Sequence, residues 1–559
     1  MQRLCRWAGR RAGRVGQVLV GWCILMLAVT VTPAVAASPV AAQNAPAPAA
    51  VGSDTVLTWG ENSFGQLGDG TTSQRSTPIA VDLPAGTMIT AVAGSDANSF
   101  ALTSASTVLA WGSNSSGELG DGTNTDSTTP VAVKLPPGTT VTAIAAGTFH
   151  TLALSSAGTV LAWGGNFSGE LGDGTNTDRS EPVPVSLPPG TTITAIAGGR
   201  GHSLALTSAG TVLAWGNNSS GQLGNGTNTD SSTPVNVNLP AGTTATAITG
   251  GGRHSLALTS AGTVLAWGNN SSGQLGNGTN TDSSTPVNVN LPAGTTATAI
   301  TGGGRHSLAL TSAGTVLAWG NNSSGQLGNG TNTDSSIPVN VNLPAGTTIT
   351  AITAHDGSHS LALTSIGTVL AWGNNSSGEL GDGTNTDSSI PVNVNLPAGT
   401  TITAIDNGDD HSMALVAPPT STTALQFTPA NPRPDQDIAL TATVTCNVGT
   451  ATGTITFRSN STALATVPLT ASSTATHTTT LPPGTHTLTA HYTSTNTCPN
   501  SQSPPTTITI TPPSDEPNEP DLPITGPNLT TTTGTAALSI LAGVILSYTA
   551  RRRPPHRAT

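Results

Sequence analysis

His202-Ser-Leu-Ala-Leu206-Thr-Ser-Ala-Gly210-Thr-Val-Leu-Ala-Trp215-Gly216 reads as a β-hairpin. Successive side chains of a strand point to opposite faces, so Leu204 and Leu206 share one side. Ala209-Gly210 supplies the turn, and Thr211 to Trp215 forms the returning strand. Upstream, Ile193-Thr-Ala-Ile196 alternates as another strand, and Gly198-Gly199 turns the chain. Downstream, Asn218 to Gly226 is a glycine-punctuated loop, and Pro234-Val-Asn-Val237 is a short outer strand. Four short strands thus fill one unit of about 50 residues, the metre of a propeller blade rather than of a sandwich.

The unit recurs. Trp-Gly pairs stand at Trp59, Trp111, Trp163, Trp215, Trp267, Trp319 and Trp372, 52 residues apart with one step of 53. A second series, Asn98, His150, His202, His254, His306, His359 and His411, runs in phase, and residues 209–260 and 261–312 are identical. A blade too thin to bury its own faces must stack on its neighbours. The repetition therefore predicts an all-β, seven-bladed propeller over residues 53–416, with the seven Trp residues in its core. The region opens with Thr55-Val-Leu-Thr-Trp59, which lacks two preceding strands. It ends with Ile402–Ile405 and His411–Leu415, which lack a following one. The N-terminal strand is expected to complete the last blade and leave no long open edge.

The period breaks after residue 416. Alternating segments at Asp437–Val444, Gly453–Phe457, Ala463–Val467 and Thr485–Tyr492 predict a small β-sandwich over 418–512. Its Cys446 and Cys498 form an even pair, read as a disulfide in an oxidising compartment or, alternatively, as two buried thiols. A bridge across about 50 residues stabilises by ~2–4 kcal/mol in the loop-entropy picture.

The ends read as addresses. An Arg-rich start, an apolar run from Val18 to Val31 and Pro33-Ala34-Val35-Ala36 predict a signal peptide over 1–36, followed by a linker over 37–52. A retained membrane anchor is the other reading. Residues 513–521 form an acidic, Pro-rich linker before Leu522-Pro523-Ile524-Thr525-Gly526. An apolar stretch over 534–550, marginal as a transmembrane span, precedes a basic tail over 551–559 that would stay cytoplasmic.

Charge and chemistry narrow the function. Of 17 basic residues, five lie in the first 14 positions and four in the last nine, which leaves 8 against 28 acidic ones, a net of −20 for the body. Such an acidic body disfavours nucleic acid and anionic lipid as partners. The His/Asn series is a ring of equivalent residues rather than one asymmetric catalytic constellation, and it is expected to hydrogen-bond neighbouring backbone. Loops such as Gly120-Asp-Gly-Thr-Asn-Thr-Asp126 are rich in oxygen ligands. Three copies, however, carry Asn225, Asn277 and Asn329 for the first Asp, so Asx-type turns are expected rather than calcium sites. No metal, cofactor or catalytic residue is assigned. Idiosyncratic residues outside the near-identical middle copies form a candidate partner patch: Phe64, Phe149, Phe167, Arg179 and Arg200. Arg75, Glu181, His355, Asp356, Asp406, Asp409 and Asp410 share that irregularity.

Three resemblances sharpen this reading. G-x-x-H-S-L-A-L followed by W-G-x-N-x-x-G-[QE]-L-G-x-G-T resembles the regulator of chromosome condensation repeat, and the first copy keeps Trp59, Gly60, Asn62, Gly65, Gln66, Leu67, Gly68 and Gly70. A WD-repeat reading fails, since no Trp-Asp pair occurs. Leu522 to Gly526, with the apolar run and basic tail, resembles the LPxTG sorting signals of Gram-positive surface proteins. That resemblance implies sortase attack at Thr525 and transfer to peptidoglycan; a plain membrane anchor is the alternative. Gly453–Phe457 with Leu481-Pro-Pro-Gly484 is similar to bacterial immunoglobulin-like surface repeats, which implies a spacer. The combined expectation is a secreted, cell-wall-anchored, non-enzymatic protein that displays a propeller for protein or glycan binding. The alternatives are an inhibitor-like binder of β-lactamases or penicillin-binding proteins, a guanine-nucleotide exchange factor, and a wall hydrolase.

Overall fold

The computed structural model describes residues 53–511 except Val448 and Thr497. The signal peptide, the N-terminal linker, the LPITG segment, the transmembrane stretch and the basic tail expected from sequence lie outside the described residues. Every regular element among the described residues is a strand, and no helix there is long and apolar enough to cross a membrane.

Seven four-stranded antiparallel sheets form a ring. Numbering blades in chain order, the third comprises, from the axis outward, Ile193–Gly198, His202–Thr207, Val212–Gly216 and Ser231–Asn236. Its outer strand starts three residues before the expected Pro234, because Ser231 pairs with Gly216 beyond an irregularity in the ladder. The first blade opens at Ile89–Gly94, the second at Val141–Ala146, and the fourth to sixth at Ala245–Gly250, Ala297–Gly302 and Ile349–Thr353. The seventh is composite: Ile402–Asn407 and His411–Val416 from the end of the repeat region, then Val56–Gly60 and Arg75–Ala80 from its start. Val56–Gly60 pairs with His411–Val416 through Trp59 opposite Ser412, the register that joins Trp215 to Ser203 in blade three. Inner strands pack on both neighbours around the axis, with Ile402–Asn407 beside Ile89–Gly94, so the ring is closed.

The core lies between blades. Leu204, Leu206, Val212 and Ala214 of blade three meet Ile248, Ala257, Leu265 and Trp267 of blade four in one buried cluster, and six further clusters repeat this around the ring. Each Trp is fully buried against the preceding blade. Burying a large apolar side chain stabilises by ~1.5–3 kcal/mol, so seven such contacts are a large term even before their neighbours are added.

The loop motif shows why these residues recur. Asn218 is fully buried. It accepts from the Leu223 amide at 2.9 Å and donates to the carbonyls of Thr227 and Thr229 at 3.0 Å each, which holds the loop closed. Gly224, at φ +65°, lies flat on the next indole; a Cβ there would sit 2.7 Å from Trp267 Nε1. Asx turns fix the tip: Asp121 Oδ1 accepts from the Thr123 amide and hydroxyl at 2.8 Å. Asn225 does the same for Thr227 at 3.1 and 2.8 Å. Asp and Asn thus cap the same turn through one side-chain oxygen.

Residues 421–510 form a two-sheet sandwich. Ser421–Thr428, Ile438–Cys446 and Thr474–Thr479 make one sheet. Thr462–Pro468, Gly453–Ser459, Gly484–Ser494, Ser501–Gln502 and Thr506–Ile510 make the other. Ile438, Leu440, Ala442 and Val444 alternate inward against Ile455, Phe457, Leu488 and Tyr492. Cys446 and Cys498 are joined by a disulfide. Sequence reading named neither the first strand of this sandwich nor its last, nor Thr474–Thr479, where Thr alternation without large apolar residues gives a weak signal.

Candidate functional site

Each blade has two kinds of end. On the face called lower here lie the hairpins between second and third strands, such as Ser208-Ala-Gly210, and the Leu-Pro-Ala-Gly connections between blades. The six hairpins carry no charge and are nearly alike, and in blade seven strand exchange takes the place of a hairpin. On the upper face lie the turn between the first and second strands and the loop between the third and outer strands. The exposed Phe residues gather there.

The inner turns ring the axis and hydrogen-bond to one another. The Arg200 amide donates to Gly251 O at 3.3 Å, Gly252 to Gly303 O at 3.1 Å, Gly304 to Gly357 O at 3.2 Å and Asp409 to Ser95 O at 3.1 Å. Around this ring the turn residues are Asp96 in blade one, Phe149 in two, Arg200, Arg253 and Arg305 in three to five, His355 and Asp356 in six, and Asp409 and Asp410 in seven. The face is therefore polarised. Three guanidiniums occupy one arc, acids occupy blades six, seven and one, and an aromatic marks blade two.

The single 53-residue step has a structural use. The extra residue falls in the blade-six turn, between Thr353 and His359, and lets that turn reach across the axis. Thr148 of blade two donates to Asp356 Oδ2 at 3.1 Å, and Arg200 Nε lies 3.7 Å from the same oxygen. His355 Nε2 donates to Ala146 O of blade two at 3.2 Å, and its Nδ1 meets Asp409 of blade seven at 3.0 Å. Burial disfavours a charged imidazole, but the hydrogen bond and charge of Asp409, with Asp356 behind it, outweigh that and raise His355 to about 9. His355 is an imidazolium donating from both nitrogens. Asp406 is buried lower on the axis, accepting from Thr353 Oγ1 at 2.8 Å and from the Gly94 amide at 3.2 Å.

The structure brings together part of the expected patch. Phe149 and Phe167 meet edge to face, with centroids 6.3 Å apart and planes at 87°, and remain 38% and 66% exposed. Gly165 makes room for them: a Cβ there would lie 3.2 Å from both Phe149 Cβ and Phe167 Cε2. Other copies carry Asn, Ser or, at position 61, Glu there. Arg200 is on the adjoining turn. Phe64 is exposed, but on the loop of blade seven. Arg179 does not join the patch, because Asp173 holds it at 2.9 Å on the outer strand of blade two. Arg75 is held likewise by Asp69 at 3.0 Å, and Glu181 pairs with Lys134 at 3.4 Å. Sequence reading missed Arg253 and Arg305, since near-identical copies looked featureless. Comparing only the turn before each His would have revealed the Arg series.

The His series adds a partner that the sequence did not suggest. Each Nε2 meets a side-chain hydroxyl of the next blade. His150 reaches Ser203 at 2.7 Å, His202 Ser255 at 2.8 Å, His254 Ser307 and His306 Ser360 at 2.9 Å, His359 Ser412 at 3.0 Å and His411 Ser99 at 2.8 Å. Ser255 in turn donates to Gln222 O at 2.9 Å, which also accepts from Trp267 Nε1 at 2.9 Å. A hydroxyl has one proton and here spends it on the carbonyl, so Nε2 must carry the imidazole proton. Burial lowers these imidazoles to about 3 or 4, leaving them neutral. Six neutral, buried and equivalent staples hold consecutive blades together. Among the described residues no group of three or more His, Cys, Asp or Glu is placed to hold a metal ion.

Fold and site define a closed repeat propeller whose candidate site is an irregular face rather than an enclosed cleft. The chain belongs to the RCC1-like domain family: that family model matches residues 39–355, and the RCC1 repeat model matches 367–415. Residues 425–511 match the bacterial Ig-like domain, group 3. The ultraviolet-B receptor UVR8 of Arabidopsis thaliana is 33% identical over 339 residues, 60% of this chain and 77% of the receptor. The probable E3 ubiquitin-protein ligase HERC3 of Homo sapiens is 38% identical over 172 residues, 30% of this chain and only 16% of the ligase. Yeast RCC1 (Prp20), solved bound to Kap60, superposes with a TM-score of 0.59 at 24% identity over 66% of this chain and 90% of its own. Human WBSCR16 gives 0.58 at 24% identity over 65% of this chain and all of its own. These two likenesses bear on the fold alone.

Proposed function

We propose that this chain is a non-enzymatic binding protein, exported and displayed on the wall of a Gram-positive bacterium, whose upper propeller face engages a protein or glycan. One observation carries the reading. The exposed Phe residues and the three guanidiniums not spent on peripheral ion pairs all lie on the upper face, whereas the other three Lys and Arg residues of the propeller are paired with Asp69, Glu181 and Asp173. Packing alone would leave both faces equally monotonous. The LPITG segment from Leu522 to Gly526 supports sortase and peptidoglycan as the means of attachment, and the Ig-like sandwich serves as spacer.

Two experiments test this. A photo-cross-linking residue at Phe167, on the upper face, is expected to capture partners. The same residue at Ile366, 77% exposed on a lower hairpin, is expected not to; adducts from Ile366 alone would reverse the assignment of faces. Thr525→Ala is expected to move the protein from the wall fraction to membrane or medium. An unchanged distribution would remove sortase from the account.

A further inference from the structure

We propose that the basin formed by Arg200, Arg253 and Arg305 is a docking site for an extended acidic segment of a partner protein, with an apolar anchor seated against Phe149 and Phe167. This rests on the upper face being the binding face and names the chemistry it selects.

The propeller has six Lys and Arg residues. Three are spent on the periphery: Arg75 on Asp69, Lys134 on Glu181 and Arg179 on Asp173. The other three stand on consecutive inner turns around one concavity of about 310 Å³, walled by Asn269 and Asn321 with Asp356 at its edge. Arg253 and Arg305 are exposed, and among the described residues neither guanidinium makes a salt bridge or side-chain hydrogen bond. Arg200 is 56% exposed and has only the 3.7 Å approach to Asp356. In so acidic a protein, nearby carboxylates could neutralise any surface guanidinium, as they do at the periphery. Here the nearest amides are already engaged with their own blade, Asn269 with Asp282 and Asn321 with Asp334, and leave the forks free. A planar guanidinium matches a carboxylate with two parallel hydrogen bonds. Three on successive blades suit carboxylates carried along an extended chain.

The flanks choose a peptide over an anionic sugar. Sugars stack on a flat ring face, whereas Phe149 and Phe167 meet at 87° and present a notch shaped for an apolar side chain. The opposite arc sets the limit of the site. Asp96 and Asp410 repel an acidic segment and confine it to blades two to five.

Fluorescence anisotropy of the full chain tests this with a fluorescein-labelled peptide of one tryptophan followed by alternating aspartate and glycine. Matched peptides carry lysine or asparagine in place of aspartate, and polygalacturonate represents anionic sugar. Only the aspartate peptide is expected to bind, more weakly as salt rises. Arg253→Ala with Arg305→Ala is expected to weaken it about ten-fold or more, Phe149→Ala several-fold, and Lys134→Ala not at all. All of these side chains are on the surface, and unchanged melting of each variant checks the fold. No binding of the aspartate peptide overturns the proposal, as does binding indifferent to the double variant. Arg-dependent binding of polygalacturonate alone, or a concentration-dependent dimer abolished by the double variant, replaces the peptide with a sugar or a second copy. Binding of the lysine or asparagine peptide lost in Phe149→Ala sinks the acidic partner yet keeps the face. The face itself fails only through the cross-linking result above.

Discussion

At the scale of single residues, the glutamine or glutamate of the loop motif shows how one atom changes stability. Gln222 uses both ends: Oε1 accepts from the Ser220 amide at 2.9 Å, and Nε2 donates to Asn217 Oδ1 at 2.7 Å. Glu379 occupies the same place in blade six. It accepts from the Ser377 amide at 2.8 Å but has nothing to donate toward Asn374. Burial, opposed in part by that amide, raises its carboxyl to about 7. An acid whose folded pKa lies above its unfolded one costs nothing below about 4.5, where it is protonated in both states. The cost grows until the folded group ionises. Glu379→Gln should therefore stabilise by about 2 kcal/mol above pH 7 and by little at pH 4, as read by thermal melts at the two pH values. A gain independent of pH would disprove the ionisation argument. Trp215→Ala should act in the opposite direction, by roughly 3–5 kcal/mol, because the indole fills the seam with blade two and its Nε1 donates to Glu170 O at 2.7 Å. An unchanged melt would contradict that role.

At the scale of the blade, the seam between blades one and two departs from the other six. Where each other blade sends a His to a hydroxyl, blade one has Asn98, which donates to Ser113 O within its own blade. The cause lies three residues back. In blade three, Gly199 stands under the His202 ring, and a Cβ there would come within 2.2 Å of its Cε1. Blade one has Ser95 at that position, whose hydroxyl donates to Gly147 O at 2.7 Å. A His at 98 would collide with Ser95, so the two changes belong together. Asn98→His alone should destabilise, whereas with Ser95→Gly it can reach the Thr151 hydroxyl and recover about 1 kcal/mol of hydrogen bonding. A double-mutant cycle on melting temperature reads this coupling, and additive effects would refute it. Much of the blade was legible in sequence. The Trp period, the Asn of W-G-x-N and the flanking glycines each answer to local geometry that recurs in phase. The His–Ser staple was not legible, since its halves lie 53 residues apart on different blades and nothing local requires either. Strand limits slipped for a similar reason: Val56–Gly60 ends one residue past the expected Trp59, because Gly60 still pairs with His411 of the far end.

At the scale of the whole molecule, closure depends on two devices. The strand exchange in blade seven was readable from phase, because one end of the repeat region lacked what the other supplied. The tie across the axis was visible only as a 53 among 52s, since sequence gives the position of an inserted residue but not the direction in which its turn leans. That turn lets His355 of blade six bond to blade two through Ala146 O and to blade seven through Asp409. It thereby braces the ring from within, near the seam between blades one and two that lacks a His–Ser staple. The brace is a charged one and so has a pH window. His355 is raised to about 9 in the folded chain from an ordinary 6.5. A base bound more tightly in the native state stabilises it fully below the unfolded pKa, and that stabilisation fades as pH rises through the folded one. Asp356, Asp409 and Asp96 face this imidazolium or its partner, and Arg200 approaches Asp356. Losing the cation leaves those buried carboxylates without their main counter-charge. His355→Ala should therefore melt well below the wild type at pH 6, by on the order of 2 kcal/mol. The two should converge toward pH 10, where the wild-type imidazole is neutral. A gap of equal size at both pH values would mean that the residue acts only by filling space, and the turn would then be a plug rather than an electrostatic brace.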